Sequence, residues 1–530
     1  MKVFIGGAWP YANNSLHVGH IAALLPGDII ARYYRKTGDE VLYVSGTDAH
    51  GTPITVRAKQ EGIHPSQISL KYHKEFNECF KALQFSYDIY SCTCDEYHKA
   101  KAFEYVRQII DNGYVYEAEE EQDFCESCNQ FLSDREIEGI CPICGGSAKG
   151  DQCDCCNATF NSKELKNKKC KYCSHEVSSK SNKHLYWKLS EFQTQISELV
   201  KNSEGIWRNN AINGSHKFLD TGLRDRALTR QLDWGVDVPK VGYEDKRIYV
   251  WVEAVLGYLT TTQKYCEEHG LNWEDFAKNN DELVSYYIHG KDNIPFHTII
   301  FPALLLSLEA NFKLPQYIIS SEYLNVDNEK ISKSKGNGVT AKELIAKYDS
   351  DTIRYYMVAQ APEKKDSNFS YESLIQHHNK YLVGVYGNFV NRNLAYLVKK
   401  FGGIIPNGNM DDEIERKIIE TYAQVGDFIR RGELRSAIGL VTELAQYANH
   451  YYDEKKPWIQ VKEDIEQFNN TTYTCLNLIA NLANLYAPFI PKSSQKVFDF
   501  LGLDIAKWEY VKVAPGTKLN NVGILFSRIE

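Results

Sequence analysis

Four Cys-x-x-Cys pairs fall within 49 residues of the chain, between positions 125 and 173. If its cysteines were scattered at random, only about 0.4 such pairs would be expected in the whole chain. Paired thiolates at this spacing bind zinc tetrahedrally, and a site closed by four thiolates is structural because no coordination position stays open. The pattern therefore predicts two structural zinc ions in a small loop-rich unit that could not otherwise build a core. The predicted ligands are Cys125, Cys128, Cys141, Cys144, Cys153, Cys156, Cys170 and Cys173.

The pairing among these eight cysteines cannot be read from the sequence alone. We favour a nested arrangement, in which Cys141, Cys144, Cys153 and Cys156 form the inner site and the outer four share the second ion. Cys155 is surplus, although it could substitute for a neighbour. The first residues lack a basic region that leads into a long apolar core, so we expect no secretory leader. On that expectation, the 14 cysteines indicate a reducing compartment and metal ligation rather than disulfides. We expect a cytoplasmic protein.

The composition excludes several classes of protein. With 43% hydrophobic and 25% charged residues, the chain has the profile of a soluble globular enzyme. No apolar run approaches the roughly 18 residues that span a membrane. The net charge of −8 argues against a strongly basic coat for nucleic acids, so any nucleic-acid partner would need a local basic surface.

The chain of 530 residues exceeds the size at which single hydrophobic cores stop growing, which predicts at least three units. Strand and helix patterns alternate in residues 1 to about 118 and again in a second stretch that runs to about 325. This alternation favours one parallel α/β sheet that is interrupted by an insertion. Helical patterns return from 181, after a stretch of little periodicity, and those beyond 371 predict a helix bundle. The predicted units are 1–118 and 236–325 as two halves of one α/β domain, 119–235 as the insertion, 326–370 as a loop region and 371–530 as the helical domain.

The sequence HVGH, from His17 to His20, directly follows the first predicted strand and opens a helical pattern. The N-terminus of a helix after a parallel strand offers free N–H groups and the positive end of the helix dipole, which suits phosphate. The two imidazoles add donors on the same face, and Gly19 permits the close approach of a flat base. Two surface histidines are the ordinary alternative, but the position between strand and helix favours a nucleotide site.

A second cationic motif, KISKSKGN, spans Lys330 to Asn337 after a strand-like segment. Most lysine- and serine-rich stretches are solvated surface loops. Paired with HVGH, however, this one is suited to close on a polyphosphate and to neutralise a departing pyrophosphate.

Together with the segments between them, these motifs resemble those of the class I aminoacyl-tRNA synthetases, and within that class the methionyl-tRNA synthetase family. The matching segments, in chain order, are AWPYANNSLHVGH, GTDAHGTPI, IYVWVEAVLGY, GKDNIPFH and KISKSKGN. The similarity covers nearly the whole chain. It implies a Rossmann-like parallel-sheet catalytic domain with an inserted zinc-knuckle domain, followed by an all-α anticodon-binding bundle. It also implies that residues 326–370 carry the mobile loop and contact the tRNA stem.

The resemblance implies ATP-dependent activation of L-methionine to methionyl-adenylate and its transfer to tRNA(Met), both initiator and elongator. The implied catalytic residues are His17, His20, Lys330 and Lys333, with Lys333 contributing most. ATP, accompanied by Mg²⁺, is expected to contact Asn13, Gly19, Asp237, Gly290, Asp292 and Lys333.

A methionine slot needs aromatic walls that suit a thioether, plus a carboxylate for the α-ammonium group. The residues that match the family's slot are Trp9, Tyr11, Trp251, Ala254, Tyr258 and His297. Asp48 and Arg230 are expected beside them, with Arg230 positioning the substrate or its neighbouring acid; a turn-capping role for Asp48 and a surface role for Arg230 are the alternatives. Asp48 is the expected carboxylate, and Tyr11 and His297 are expected to contact the sulfur as weak donors. The chain departs from the commoner family pattern at Trp9, Val255 and Ile331, where many relatives carry Leu, Pro and Met. The larger Trp9 is expected to alter the shape of the slot and hence inhibitor sensitivity.

In the resembled family, the positions of Asn388, Arg392 and Trp458 read the anticodon. Asn388 and Arg392 are four apart and so share a helix face, and single-stranded loop bases are what proteins read in RNA. A Pro-Trp pair that merely seals the bundle is the structural alternative for Trp458. Because no extra dimerising domain follows the helical region, we expect a monomer.

Two other functions fit part of the pattern. Another enzyme of the same class is the nearest, but the isoleucine, valine and leucine enzymes carry a larger editing insertion, and a cysteine enzyme needs a zinc-binding thiol beside the first strand. A non-catalytic zinc-containing RNA-binding protein is the second. That alternative predicts damaged nucleotide motifs, whereas both histidines of HVGH and both lysines of the loop are present.

Overall fold

The computed structural model of the protein describes residues 1–132, 136–149, 153, 155–156, 162–327, 338–504 and 507–530. The strands are β1 (Lys2–Gly7), β2 (Glu40–Thr47), β3 (Ile89–Cys92), β4 (Val115–Cys125), β5 (Gln130–Phe131), β6 (Ile137–Ile140), β7 (Ser147–Lys149), β8 (Lys166–Cys170), β9 (Ser178–Trp187), β10 (Arg226–Ala227), β11 (Thr229–Arg230), β12 (Arg247–Ile248), β13 (Leu283–Gly290), β14 (Tyr317–Ser321), β15 (Leu324–Val326) and β16 (Ser367–Phe369). The α-helices are α1 (Val18–Thr37), α2 (Thr52–Glu61), α3 (Pro65–Ala82), α4 (Glu96–Asp111), α5 (Gln193–Asn202), α6 (Asn209–Leu219), α7 (Val250–His269), α8 (Phe301–Ser307), α9 (Ala341–Lys347), α10 (Ser350–Ala359), α11 (Tyr371–His377), α12 (Asn388–Phe401), α13 (Asp412–Arg430), α14 (Leu434–Lys455), α15 (Pro457–Glu463), α16 (Ile465–Tyr486) and α17 (Pro491–Leu501). Within this described part, none of the helices combines the length and apolar character needed to cross a membrane.

The central sheet has five parallel strands in the order β14-β13-β1-β2-β3. Its middle strand β1 is buried from Val3 to Gly7, as expected where helices cover both faces of a parallel sheet. The chain moves outward from β1 to β3 and later returns to place β13 on the other side of β1. The strand order therefore reverses between β1 and β13, and ligands of such sheets bind at this point, outside the carboxyl ends of the strands.

The insertion is built on a long antiparallel pair, β4 and β9, in a four-stranded sheet of order β10-β9-β4-β5. The expectation of helical structure from residue 181 is wrong at its start, because β9 continues to Trp187 and α5 begins only at Gln193. Exposed polar pairs hold the two strands together, such as Lys183 with Glu117 and Ser181 with Glu119. Cross-strand pairs of this kind stabilise a sheet without the apolar alternation that reveals a strand in a sequence.

The helical region packs directly against the domain that contains the central parallel sheet. One hydrophobic core contains Ile29 of α1, Ile429 of α13 and Leu478 of α16. Buried amides of α16 also bind the end of the chain, since Asn481 exchanges two hydrogen bonds of 2.8 Å with the backbone of Val511. The fold class expected from the sequence, an α/β sheet with an insertion and a helical bundle, is confirmed.

One cysteine pair departs from the expectation that disulfides are absent. Cys92, the last residue of β3, is joined to Cys94 by a disulfide. Their Cα atoms lie 5.2 Å apart, within the range that a disulfide spans. The turn that ends β3 brings the two residues together, and sequence spacing alone did not identify them as a pair.

Candidate active site and metal centres

The N-terminus of α1 is capped by the histidines of HVGH. Nδ1 of His17 accepts the backbone N–H of Gly19 at 3.2 Å, and Nδ1 of His20 accepts the backbone N–H of His17 at 3.1 Å. This reciprocal arrangement is a capping box made by imidazoles, and the ring centroids lie 3.9 Å apart. A neutral imidazole whose Nδ1 accepts carries its proton on Nε2. Both rings therefore have an Nε2–H donor suited to a phosphate oxygen.

A cavity of about 260 Å³ opens where the strand order reverses. Its walls include the expected nucleotide residues His17, Gly19, His20, Gly290 and Asp292, together with Trp9, Glu322, Tyr323 and Leu324. Two other expected ATP residues do not line it. The exposed side chain of Asp237 pairs with Arg247 at 3.3 Å, and Asn13 lies in the turn after β1, where its carbonyl accepts from Arg57 at 2.8 Å.

The segment KISKSKGN, with Lys330, Ile331 and Lys333, lies outside the described residues. Described residues on the two sides of it lie near the nucleotide cavity or α1. Before it, Leu324 lines the cavity. After it, the carbonyl of Val339 accepts the N–H of Val18 at 3.0 Å. The described residues that flank the segment therefore lie beside α1, on whose capped end the carbonyl of Val339 accepts its hydrogen bond.

Trp9 lies between two glycines that accommodate its large ring. A Cβ atom added to Gly46 of β2 would lie 2.6 Å from the indole, and one added to Gly257 of α7 would lie 2.7 Å away. Side chains at either position would overlap the ring, so only glycine fits. The large ring of Trp9 thus occupies space that side chains at positions 46 and 257 would otherwise fill. Neither glycine was predicted from the sequence to contact Trp9.

Tyr258 and His297 form a buried hydrogen-bonded pair. The hydroxyl of Tyr258 lies 2.7 Å from Nε2 of His297, whose Nδ1 lies 2.9 Å from the carbonyl of Asn293. A carbonyl only accepts, so Nδ1 carries the proton and Nε2 accepts from the tyrosine. Burial lowers the pKa of His297 to about 4, so the ring is neutral. With both nitrogens engaged, His297 has no N–H left to donate to a thioether in this arrangement, contrary to the expectation from sequence.

Asp48 belongs to a buried polar cluster that the sequence analysis did not assemble. Both oxygens of Glu253 are occupied, with Oε1 lying 2.8 Å from Nδ1 of His50 and Oε2 lying 2.8 Å from Nε2 of His98. His98 also contacts the hydroxyl of Thr260 at 2.8 Å. At most 2% of the surface of Asp48, His50, His98 or Glu253 is exposed. The four side chains come from one loop and two helices that are far apart in the chain. No local sequence pattern therefore predicted that they form a cluster.

Trp251 and Arg230 line a second, larger cavity of about 520 Å³, which Trp9, Tyr258 and His297 do not line. The ring of Trp251 stacks on Phe296 with centroids 4.1 Å apart. The guanidinium of Arg230 lies 4.2 Å over the ring of Tyr249 and donates to the backbone carbonyls at 227 and 229. Of the residues expected to form one slot, Trp9 lines the nucleotide cavity and Trp251 and Arg230 line this second one, while the remaining five line neither. Ala254 shares α7 with Tyr258.

Eight cysteines form two groups, each with its four sulfur atoms within 4.8 Å of one another. The groups are Cys125, Cys128, Cys170 and Cys173, and Cys141, Cys144, Cys153 and Cys156, which is the nested pairing favoured from the sequence. Ligands 2.3 Å from a tetrahedral zinc lie about 3.8 Å apart, and sulfur separations of 3.4–3.9 Å match this. The backbone N–H groups of residues 156 and 155 point at the sulfur of Cys153 and lower the pKa of this thiol to about 6. Both donor sets fit zinc.

The predicted anticodon residues lie on neighbouring helices of the bundle. Asn388 is the first residue of α12, and Arg392 follows one turn later. The guanidinium of Arg392 lies 4.1 Å over the ring of Tyr452 and 2.8 Å from Asp453. Trp458, which is 42% exposed, packs its ring against the same Tyr452 with centroids 5.6 Å apart. Tyr452, which joins the two predicted residues, was missed by the sequence analysis.

Two protein families match successive parts of the chain. The family described as "tRNA synthetases class I (M)" matches residues 3–394, and the "Anticodon binding domain of methionyl tRNA ligase" matches residues 405–530. The protein is therefore a class I aminoacyl-tRNA synthetase. Methionine–tRNA ligase 1 of Alkaliphilus oremlandii is 46% identical over 530 residues, which cover 100% of this chain and 98% of that protein. The chain belongs to the methionyl-tRNA synthetase family.

Other relatives agree in sequence and in fold. Methionine–tRNA ligase of Bacillus mycoides is 46% identical over 532 residues and is covered to 97%. The structure of Mycobacterium tuberculosis methionyl-tRNA synthetase bound by methionyl-adenylate superposes with a TM-score of 0.81 at 23% identity, over 99% of this chain and 100% of that chain. At this identity the structural likeness shows the fold.

Proposed function

We propose that the protein forms methionyl-adenylate in the cavity at the carboxyl ends of β1 and β13 and then transfers the methionyl group to tRNA(Met), both initiator and elongator. The activity itself, methionyl-tRNA synthesis, follows from membership of the family. One observation carries the placement of the site. Trp9 lines the nucleotide cavity and also fills the space beside Gly257 of α7, the helix that carries Ala254 and Tyr258. ATP and methionine would therefore meet at this residue.

In the first step, the methionine carboxylate attacks the α-phosphorus of ATP and pyrophosphate leaves with the electron pair of the broken P–O bond. Negative charge develops on the phosphoryl oxygens, so the protein's task is positioning and electrostatic stabilisation. The Nε2–H groups of His17 and His20, with the positive end of α1, supply it. Lys330 and Lys333 would neutralise the pyrophosphate, and Mg²⁺ bound with ATP would supply further positive charge to its phosphates.

In the second step, the terminal ribose hydroxyl of tRNA attacks the carbonyl carbon of the adenylate, and AMP leaves. Arg392, Trp458 and Asn388 would bind the anticodon far along the chain from this chemistry. The two cysteine groups would hold structural zinc and so order the insertion between the halves of the sheet. We further propose a monomer that acts in the cytoplasm.

Amino-acid-dependent exchange of label between pyrophosphate and ATP tests the proposal. Methionine alone should support exchange, with isoleucine, valine, leucine and cysteine as the matched controls. Exchange driven by one of those four would assign the protein to another enzyme of the same class. A complete lack of exchange with every amino acid would instead favour the non-catalytic RNA-binding alternative.

A further inference from the structure

We propose that Tyr323 is a positioning residue for ATP, which holds the carboxylate of Asp292 so that this carboxylate accepts hydrogen bonds from the ribose hydroxyls. This inference rests on the proposed function, in which ATP occupies the nucleotide cavity. It gives a role to a group of polar side chains around the cavity that the attack on the α-phosphorus does not use.

Tyr323 and Asp292 meet in the wall of the nucleotide cavity. The hydroxyl of Tyr323 donates to Oδ1 of Asp292, and both residues line the cavity. Asp292 is exposed, so without this bond its side chain would be less restrained among its staggered conformers. An ionised carboxylate offers about four acceptor positions. The bond from the tyrosine therefore orients Asp292 and still leaves acceptor positions for a ligand.

Tyr323 is itself held in place by its neighbours. Its backbone N–H donates to Oδ1 of Asp366 at 3.0 Å, and its carbonyl accepts the N–H of Ser367 at 3.0 Å. The ammonium group of Lys291 lies 3.7 Å from the centroid of the tyrosine ring, which is a favourable cation–π distance. Backbone and ring are both restrained, so the hydroxyl is presented to Asp292 from a fixed direction.

The charges around Tyr323 decide which part of ATP faces this wall. Nζ of Lys291 lies 2.7 Å from Oε2 of Glu322 and 2.7 Å from Oδ1 of Asp366. With Asp292, the cluster contains three carboxylates and one ammonium group. Carboxylates repel phosphate oxygens, whereas the capped end of α1 attracts them. The carboxylates are therefore matched to the nucleoside, whose hydroxyl and amino groups are neutral donors.

Within the nucleoside, the ribose is the part that suits Asp292. Its two neighbouring hydroxyls are both donors, and a carboxylate of fixed orientation can accept from them. The amino group of adenine lies beside a ring nitrogen that is an acceptor, and this nitrogen would repel a carboxylate. Glu322, the other carboxylate in the cavity wall, is engaged by Lys291. Asp292 is thus the carboxylate oriented for the ribose.

Pyrophosphate exchange by the full-length protein tests this, with ATP, 2′-deoxy-ATP and 3′-deoxy-ATP as alternative substrates. The wild type should lose about tenfold or more in kcat/KM when a hydroxyl that contacts Asp292 is absent, as expected for a hydrogen bond to a charged group. In Tyr323→Phe, kcat/KM for ATP should fall toward the value for the deoxy substrate, so the discrimination between them should shrink several-fold. Tyr317→Phe is the matched control and should keep the wild-type discrimination, because Tyr317 lies on β14 and does not line the cavity.

The same measurement in an Asp292→Ala background shows whether Tyr323 acts through Asp292. Asp292→Ala should lose the discrimination between ATP and the deoxy substrate. Adding Tyr323→Phe should then cause no further loss, because residues that act as a unit are not additive. A further loss in the double variant would show that Tyr323 acts by another route and would overturn the proposal.

A merely structural role for Tyr323 would lower kcat/KM for all three substrates by the same factor, and that result would also overturn the proposal. So would wild-type protein that discriminates against neither deoxy substrate, even if the variants fail to fold. An ATP analogue without the adenine amino group should lose the same factor as ATP in Tyr323→Phe, and a smaller loss would place Asp292 at the base instead of the ribose. Wild-type protein that supports no exchange with ATP and methionine would count against the proposed function.

Discussion

Nη2 of Arg354 lies 2.6 Å from Oδ2 of Asp28, and both side chains are completely buried. Arg354 lies on α10, which precedes the helical bundle in the chain. Asp28 lies within α1, the helix whose N-terminal end lines the nucleotide cavity. The guanidinium also donates to the carbonyls of Pro488 and Phe489, between α16 and α17, and of Leu83. The side chain of Arg354 thus links α1 to the turn between α16 and α17 of the helical bundle.

Arg354→Met should strongly destabilise the protein. Removing Arg354 takes away the buried partner of Asp28 and leaves Arg32 as its compensating charge. The loss of unfolding free energy should therefore approach, without exceeding, the roughly 3–5 kcal/mol that breaking a wholly buried pair costs. Arg32→Met is the matched control, because Arg32 also contacts Asp28, at 2.8 Å, but its side chain is 23% exposed. That variant should lose less than Arg354→Met, because the completely buried Arg354 still pairs with Asp28. Urea unfolding of the two variants measures the difference, and equally small losses would contradict this account of the buried pair.

The effect of Arg354→Met should also depend on pH. Burial alone would raise the pKa of Asp28, but Arg32 and Arg354 outweigh it and lower the pKa to about 2. A carboxyl whose pKa is depressed on folding contributes stability above its unfolded pKa of about 4, and this is lost as the pH falls through about 2. The stability gap between wild type and variant should therefore narrow as the pH is lowered across that window. If the difference in unfolding free energy between wild type and Arg354→Met does not change with pH, the ionisation of Asp28 is not the source of the stabilisation by Arg354.

Metal analysis should distinguish the roles of two adjacent cysteines, Cys155 and Cys156. Cys156 belongs to the inner sulfur group, whereas the exposed Cys155 does not. Cys156→Ser should reduce the zinc content from about two ions per chain to about one, because a closed site needs four thiolates. Cys155→Ser should keep both ions. If Cys155→Ser loses zinc while Cys156→Ser does not, Cys155 is the zinc ligand of the inner group and Cys156 is not.

Patterns that are local in the chain were predictable, and contacts between distant segments were not. The cysteine spacing and the HVGH position between strand and helix each lie within one segment, and both led to the groups seen in the structure. Glu253 and His98 are 155 positions apart, and the glycines that accommodate Trp9 lie on two other elements. Such pairs exist only after the chain has folded. The β4–β9 pair was missed for a related reason, since its polar cross-strand contacts lack apolar alternation.

Lys333→Ala should slow adenylate formation without weakening methionine binding. The lysine charge is needed only where negative charge develops on the departing pyrophosphate, so its loss should cost about 10²–10³ in rate. Lys342→Ala is the matched control, because Lys342 is an exposed lysine on α9, close in the chain to the loop. Pyrophosphate exchange gives the rate, and equilibrium binding of methionine gives the affinity. An unaltered exchange rate in Lys333→Ala would exclude this lysine from the mechanism.

Trp458→Ala should weaken charging of tRNA(Met) while sparing adenylate formation. A base stacked on an aromatic side chain contributes about 1–3 kcal/mol, so kcat/KM for tRNA should fall by about tenfold or more. Ile459→Ala is the matched control, since Ile459 is 39% exposed in the same helical turn but offers no ring for stacking. Aminoacylation and pyrophosphate exchange should be measured on the same preparations. Equal losses of both activities in Trp458→Ala would indicate that the side chain supports the bundle, through its packing on Tyr452, rather than reading the anticodon.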